Sequence, residues 1–186
     1  MRIISGQFKG RSVPAVEGPG YRPALGKVRE AVFSMLEARG VYWSETNVLD
    51  VFAGSGSLGL EALSRGAPYA CFVENSAKAA SCIGRALKEF GIGPDRSRVV
   101  KGDAFSYLKS TPKRSYGVVF IDPPYRREMA SPALAIIAAG NRLSQEAYVI
   151  AEIEKGAGIP EAPGLDLEAD RKYGQTRILI WQKSRD

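Results

Sequence analysis

From Val48 onward, short apolar runs alternate with stretches whose apolar residues recur every three or four positions. Val48–Phe52, Ala70–Glu74, Arg98–Lys101, Gly117–Ile121 and Tyr148–Ile153 are the apolar runs and predict strands. Leu58–Arg65, Ala77–Phe90, Ala104–Leu108 and Ala130–Ala139 carry the helical spacing. Such an order predicts an α/β fold, a parallel sheet with helices on both faces. The two ends depart from this rhythm. Leu165–Ala169 and Arg177–Gln182 predict a terminal antiparallel hairpin turning near Tyr173-Gly174, after a loop rich in Gly and Pro over Lys155–Gly164. At the start, Arg2–Val13 alternates apolar and polar residues around Gly6 and Gly10, as a hairpin does. Val28, Ala31, Val32, Met35 and Leu36 then mark a helix from about Leu25 to Arg39, with Gly40 as its stop. The expected division is residues 1–40 as an N-terminal hairpin-and-helix extension and 41–186 as the main domain.

Charge adds a partner to this picture. The chain of 186 residues holds 26 basic and 20 acidic side chains, a net +6, which favours a polyanion as partner. Residues 1–40 account for seven basic and three acidic side chains, so a solvated face and a phosphate-gripping appendage both fit them. No apolar run approaches the ~20 residues that span a bilayer, and no signal-peptide core opens the chain. Cys71 and Cys82 are expected as free thiols in a reducing cytoplasm. The sequence has no histidine, which excludes Ser-His-Asp and Cys-His catalysis and most zinc-site patterns.

The first chemical motif is Asp50-Val51-Phe52-Ala53-Gly54-Ser55-Gly56-Ser57-Leu58-Gly59, a strand end, a glycine turn and a helix start. Gly54, Gly56 and Gly59 satisfy G-x-G-x-x-G, and Glu74 closes the next strand where an acid that binds ribose belongs. Nicotinamide, flavin and S-adenosylmethionine proteins all use this turn. Asp50 favours the last, because a carboxylate beside the turn repels a pyrophosphate and suits an ammonium and sulfonium ligand. Asp103, after the third strand, reads both as a partner for an adenine amino group and as the N-cap of a short helix.

The second motif is Asp122-Pro123-Pro124-Tyr125, which ends the apolar run Val118–Ile121. Neither proline has a backbone N–H, so this corner offers a carboxylate and bare carbonyls. An exocyclic amino group on a nucleobase has two N–H bonds to give to such acceptors, and Tyr125 adds a flat face for stacking. A plain proline turn with an aromatic plug is the structural alternative. Asp50, Glu74, Asp103 and Asp122 are all expected at carboxyl ends of parallel strands, the edge at which open α/β sheets bind ligands.

With these two motifs in this order, the chain resembles S-adenosylmethionine-dependent amino-group methyltransferases. More closely it resembles the RsmD family, which methylates N2 of a guanine in bacterial 16S ribosomal RNA. The likeness runs from Arg2 to Gln182. It includes Arg2-Ile3-Ile4-Ser5-Gly6-Gln7-Phe8-Lys9-Gly10-Arg11, Arg22-Pro23 with Lys27–Phe33, Leu60–Ala67, and Tyr173-Gly174-Gln175-Thr176. Ala24 and Gly26 depart from the Thr and Asp usual in the family. The resemblance implies a Rossmann-like class I methyltransferase fold, with a mostly parallel seven-stranded sheet and a terminal antiparallel hairpin. It implies Asp122, Pro123 and Tyr125 as the catalytic set. Asp50, Phe52, Ala53, Gly54, Ser55, Gly56, Glu74, Asn75, Asp103 and Ala104 would hold S-adenosylmethionine. Lys9, Arg11, Arg22, Arg29, Pro124 and Arg126 would meet the RNA, within an assembled or assembling small subunit. A cytoplasmic monomer needing no metal is expected. DNA adenine-N6 methylation, another RNA amino-group methylation, and a non-catalytic cofactor-binding RNA module are the competing readings.

Overall fold

A computed structural model describes residues 1–14, 26–124 and 128–184. Its centre is a seven-stranded sheet in the order β3-β2-β1-β4-β5-β7-β6. The strands are β1 (Val48–Val51), β2 (Ala70–Glu74), β3 (Ser97–Lys101), β4 (Tyr116–Ile121), β5 (Leu143–Glu154), β6 (Leu165–Tyr173) and β7 (Thr176–Lys183). The first five run parallel, and β7 lies antiparallel between β5 and β6. The helices are α1 (Gly26–Glu37), α2 (Ser57–Ser64), α3 (Ala77–Glu89), α4 (Ala104–Lys109) and α5 (Ala130–Ala139).

Strand residues alternate between two apolar layers because successive side chains point to opposite faces of a sheet. Val48, Phe72, Val118, Phe120, Ile150, Ile178 and Ile180 face α1, α2 and α3. Leu49, Val51, Val73, Val119, Ile121, Val149 and Leu179 face α4 and α5. Both faces are thus covered, which explains why β1, β2 and β4 read as nearly unbroken apolar runs. β5 is longer than its apolar run predicts, since polar Ser144, Gln145 and Glu146 continue the strand at its start. Likewise β6 extends through exposed, charged residues to Tyr173, as an edge strand open to water does. Cys71 and Cys82 are free and buried. Among the described residues no helix is long and apolar enough to cross a membrane.

The N-terminal segment is bound into this body. Ile3, Val13, Val28, Val32, Phe33 and Leu36 belong to the same apolar cluster as Phe120 and Ile150. Arg2 and Ser12 form a single antiparallel bridge, the remnant of the expected hairpin. Glu61, fully buried on α2, fastens it: its carboxylate accepts the amides of Ile4 at 2.8 Å and Ser5 at 3.0 Å and pairs with Arg65 Nε at 3.0 Å. Further along, the Ser64 carbonyl accepts the Gln7 amide at 2.8 Å, and Ser64 Oγ accepts that of Phe8 at 3.0 Å. Gly6 (φ +82°) makes this approach possible, because any Cβ there would run into the Ser64 carbonyl. Replacing Glu61 by Ala strands two amides and leaves buried Arg29 without its acid, while Arg65 keeps Glu37 at 2.7 Å, so Glu61→Ala is expected to cost about 3–5 kcal/mol. Urea unfolding measures it, and an unchanged midpoint would show the clamp to be dispensable.

Candidate functional site

The chain winds from β1 to β2 and β3 on one side, and from β4 to β5 on the other. Strand order therefore reverses between β1 and β4, and the crevice at such a reversal is where open α/β sheets bind ligands. Val51 pairs with Ile121, so the two sequence motifs leave neighbouring strands side by side at one edge.

On the β1 side, Phe52 takes φ 62°, a left-handed conformation uncommon for a residue other than glycine, and swings the chain into the turn. Its ring meets Phe105 of α4 edge-on, with centroids 6.0 Å apart. The turn is tied to β2: the Ala53 amide donates to the Val73 carbonyl at 2.9 Å, and the Gly54 amide to Glu74 Oε2 at 2.7 Å. Gly54, half-buried Ser55 and buried Gly56 complete it. Gly59 lies flat on the Phe72 ring where no Cβ fits, which brings the start of α2 close to the sheet. Its amide donates to Asp50 Oδ2 at 3.0 Å.

Four carboxylates on this edge have distinct environments. Asp50 is 1% exposed; burial pushes its pKa up to about 8, with the Gly59 amide opposing and the Glu74 charge assisting. Glu74, also buried, accepts the Ser76 amide at 2.7 Å on its second oxygen, so it bridges the turn to the start of α3. Asp103 is exposed and caps α4, with Oδ1 accepting the Ser106 amide at 2.8 Å and hydroxyl at 2.9 Å; these bonds hold its carboxyl below the usual range. The cap is one of the two sequence readings of Asp103, and it leaves the adenine reading open. Asp122 is pushed well above the carboxylate range by burial, then by the charges of Glu152 and Asp50.

Asp122 opens into a cleft of about 310 Å³, counting its mouth. Val28, Arg29 and Val32 of α1 and Leu58 of α2 form one wall, and Phe120, Ile150 and Ile178 form the floor. Glu152 of β5 stands in the same wall as Asp122, and its Oε1 accepts the Thr176 hydroxyl at 3.2 Å.

The sequence-predicted residues therefore divide. Asp50, Phe52, Ala53, Gly54, Ser55, Gly56, Glu74, Asn75, Asp103, Ala104, Asp122, Pro123 and Pro124 all lie at the carboxyl ends of β1 to β4. Arg22, Tyr125 and Arg126 lie outside the described residues. Arg29 corrects the reading as a phosphate contact. It is 2% exposed, donates to the Arg2 carbonyl and the Met1 sulfur, and lies 3.9 Å from Glu61, so its charge is used inside the protein. Lys9 and Arg11 are exposed but sit at the far edge of the sheet. Arg11 donates to the Glu89 carbonyl at 2.6 Å and covers the Phe90 ring, at the C-terminal end of α3. Glu152 and Thr176 were missed. An acid inside the apolar run Tyr148–Ile153, one step past the residue beside Ile121, was the signal for Glu152.

Residues 1–182 match the family model described as conserved hypothetical protein 95. The chain belongs to this family. It is 36% identical to Ribosomal RNA small subunit methyltransferase D of Escherichia coli K12 over 186 residues, 98% of this chain and 90% of that protein. The protein of the same name from Haemophilus influenzae is 33% identical over 183 residues, 98% and 93% of the two chains. A solved Escherichia coli structure, described provisionally as the methyltransferase yhhF, superposes with TM-score 0.88 at 33% identity, over 100% of this chain and 99% of that one.

For this family member, the cost of keeping Asp50 dry gives a pH-dependent prediction. Its folded pKa of about 8 lies above the unfolded value near 3.8, so the unfolded chain holds fewer protons between them and stability falls as pH rises. Asp50→Asn keeps an acceptor for Gly59 and removes the titration. The variant without ligand should melt higher than the parent at pH 8 and closer to it at pH 5, the gap widening as pH rises between the two values. Scanning calorimetry at the two pH values decides, and an advantage larger at pH 5 would reverse the assignment.

Proposed function

We propose that this chain transfers a methyl group from S-adenosylmethionine to ribosomal RNA, and that the acceptor is the exocyclic N2 of a guanine in 16S ribosomal RNA. The substrate class is carried by the relatives, which are named ribosomal RNA small subunit methyltransferases. The acceptor chemistry rests on one observation: Asp122 and its proline corner leave β4 beside the glycine turn that leaves β1, across the reversal of the sheet.

The residues present fit a cationic donor. Negative charge is concentrated at this edge, and Asp50 is kept so dry that a cation beside it would return it to its ionised form. Gly54 and Gly56 would let the ligand approach the backbone, Glu74 would face its ribose, and Asp103 with Phe52 and Ala104 its adenine. S-adenosylmethionine supplies a sulfonium methyl: the carbon–sulfur bond breaks as the nitrogen–carbon bond forms, leaving S-adenosylhomocysteine. Asp122 and the Pro123 carbonyl would accept the two N–H bonds of the target amino group and aim its lone pair. Once nitrogen carries the methyl group it must shed a proton, and Asp122, whose pKa is raised by burial, is the adjacent base. Tyr125 would stack on the base. The base must leave its own stack to reach this depth. We place the reaction in the cytoplasm, on an assembled or assembling small subunit, with the enzyme a monomer.

Incubation with labelled donor and hypomethylated small subunits, followed by mass spectrometry of the labelled nucleotide, tests the reaction; label on a base other than guanine would overturn it. Asp122→Ala is expected to bind S-adenosylhomocysteine nearly as the parent does in calorimetry. Its single-turnover methyl transfer should fall on the order of 10²-fold or more. An unchanged rate would remove Asp122 from the mechanism. Lys9, a helix length from the cleft, would touch a phosphate remote from the target. Lys9→Glu should weaken RNA binding and flatten its salt dependence by about one counterion. An unaltered slope would return Lys9 to a solvated face.

A further inference from the structure

We propose that Glu152 selects the target base, its carboxylate accepting the ring N1–H of guanine while Asp122 and the Pro123 carbonyl hold the N2 amino group. This inference rests on the guanine-N2 reading above and adds to it the group that distinguishes guanine from other bases bearing an amino group.

The placement follows from the sheet. Ile121 of β4 pairs with Ala151 of β5 in parallel register, so the next residues, Asp122 and Glu152, are neighbours on one face, about 5 Å apart by strand spacing. Both line the cleft. The remaining wall is apolar apart from Arg29, whose guanidinium is turned to Met1, Arg2 and Glu61 and which offers the cleft only its stem. Glu152 is also oriented, since the buried Thr176 hydroxyl donates to its Oε1 at 3.2 Å. The cleft therefore presents two adjacent acceptors in an apolar setting.

Such a pair fits a ligand edge with adjacent N–H donors. The base-pairing edge of guanine carries N1–H next to the N2 amino group. Adenine and cytosine also carry an exocyclic amino group, but the ring nitrogen beside it is an acceptor. That lone pair would face the Glu152 carboxylate, so the contact would be lost and lone-pair repulsion added. Glu152's own charge pushes the Asp122 pKa upward, so the two acids oppose each other when the cleft is empty. A base that gives hydrogen bonds to both relieves that opposition, and adenine relieves half of it.

The test uses 2-aminopurine, which keeps the N2 amino group and has an acceptor at N1. Once the labelled guanine is mapped, 2-aminopurine is installed there by RNA ligation in 16S ribosomal RNA reconstituted with small-subunit proteins. The parent enzyme should prefer guanine over 2-aminopurine in kcat/KM by on the order of 10²-fold or more. Glu152→Gln can donate from its amide to N1, so its preference should shrink at least about tenfold, mainly through a gain on 2-aminopurine. Thr176→Val, which frees the carboxylate to turn, should shrink it partially and keeps the test open if Glu152→Gln folds poorly. Equal losses on both substrates, or a parent enzyme indifferent to the replacement, would overturn the role of Glu152 while guanine-N2 labelling stands. Label found elsewhere in the parent reaction would overturn the reading on which it rests.

Discussion

Where β1 and β4 part, the fold withholds water from negative charge. Asp50 and Asp122 lie on the same face of adjacent strands, two residues apart in register, and burial raises the pKa of each. Ionised carboxylates in such a place are costly unless something positive or hydrogen-bonding meets them. The protein meets the cost of Asp50 in part with one amide, from Gly59, and that of Glu74 with two, from Gly54 and Ser76. These bonds hold the glycine turn rigid against β2. What is left unmet is a demand for a cation beside β1 and for N–H donors beside β4. A sulfonium compound and an amino-bearing base satisfy the two demands together.

The wall opposite Asp122 belongs to the N-terminal segment, so the hairpin, α1 and the sheet act as one body. Arg29 joins them: its stem lines the cleft, while its head reaches back to Met1, Arg2 and Glu61. Glu61 in turn holds the amides of Ile4 and Ser5. A buried carboxylate far from the chemistry therefore fixes the position of α1 over the cleft. Breaking a pair of this kind leaves a charge stranded, which is why it acts as a strut.

The fold was legible because strand and helix periods differ and both sheet faces are covered. Ala70–Glu74 and Ala130–Ala139 fall where their patterns put them. The glycine turn and the proline corner were legible through their backbone chemistry, since few residue types can form them. Arg29 was misread because a charge pattern records sign and spacing but not burial; its partners lie 27 residues or more away in sequence. Lys9 and Arg11 sat in a basic segment whose direction across the sheet is fixed by Ser64 and Glu89, contacts no local pattern encodes. Glu152 was overlooked for the opposite reason. It was placed on a strand correctly, but its chemistry appears only when β5 is laid in register beside β4.

The separation of charge across the molecule has a consequence for how a polyanion can be held. The net charge is +6, yet the cleft edge gathers Asp50, Glu74, Asp103, Asp122 and Glu152. Among the described residues these five acids make that part of the rim poor ground for a phosphate. Lys9 sits beyond the C-terminal end of α2, whose eight residues run about 12 Å. That exceeds the ~8 Å over which exposed charges act at physiological salt, so the acids of the cleft do not offset the charge of Lys9. Acids at the cleft would thereby favour the N–H edge of a base over its phosphate. For the proposed reaction, extrusion of the target nucleotide would suit this charge, and hydrogen bonds to the acceptors of β4 and β5 would offset part of the unstacking it requires.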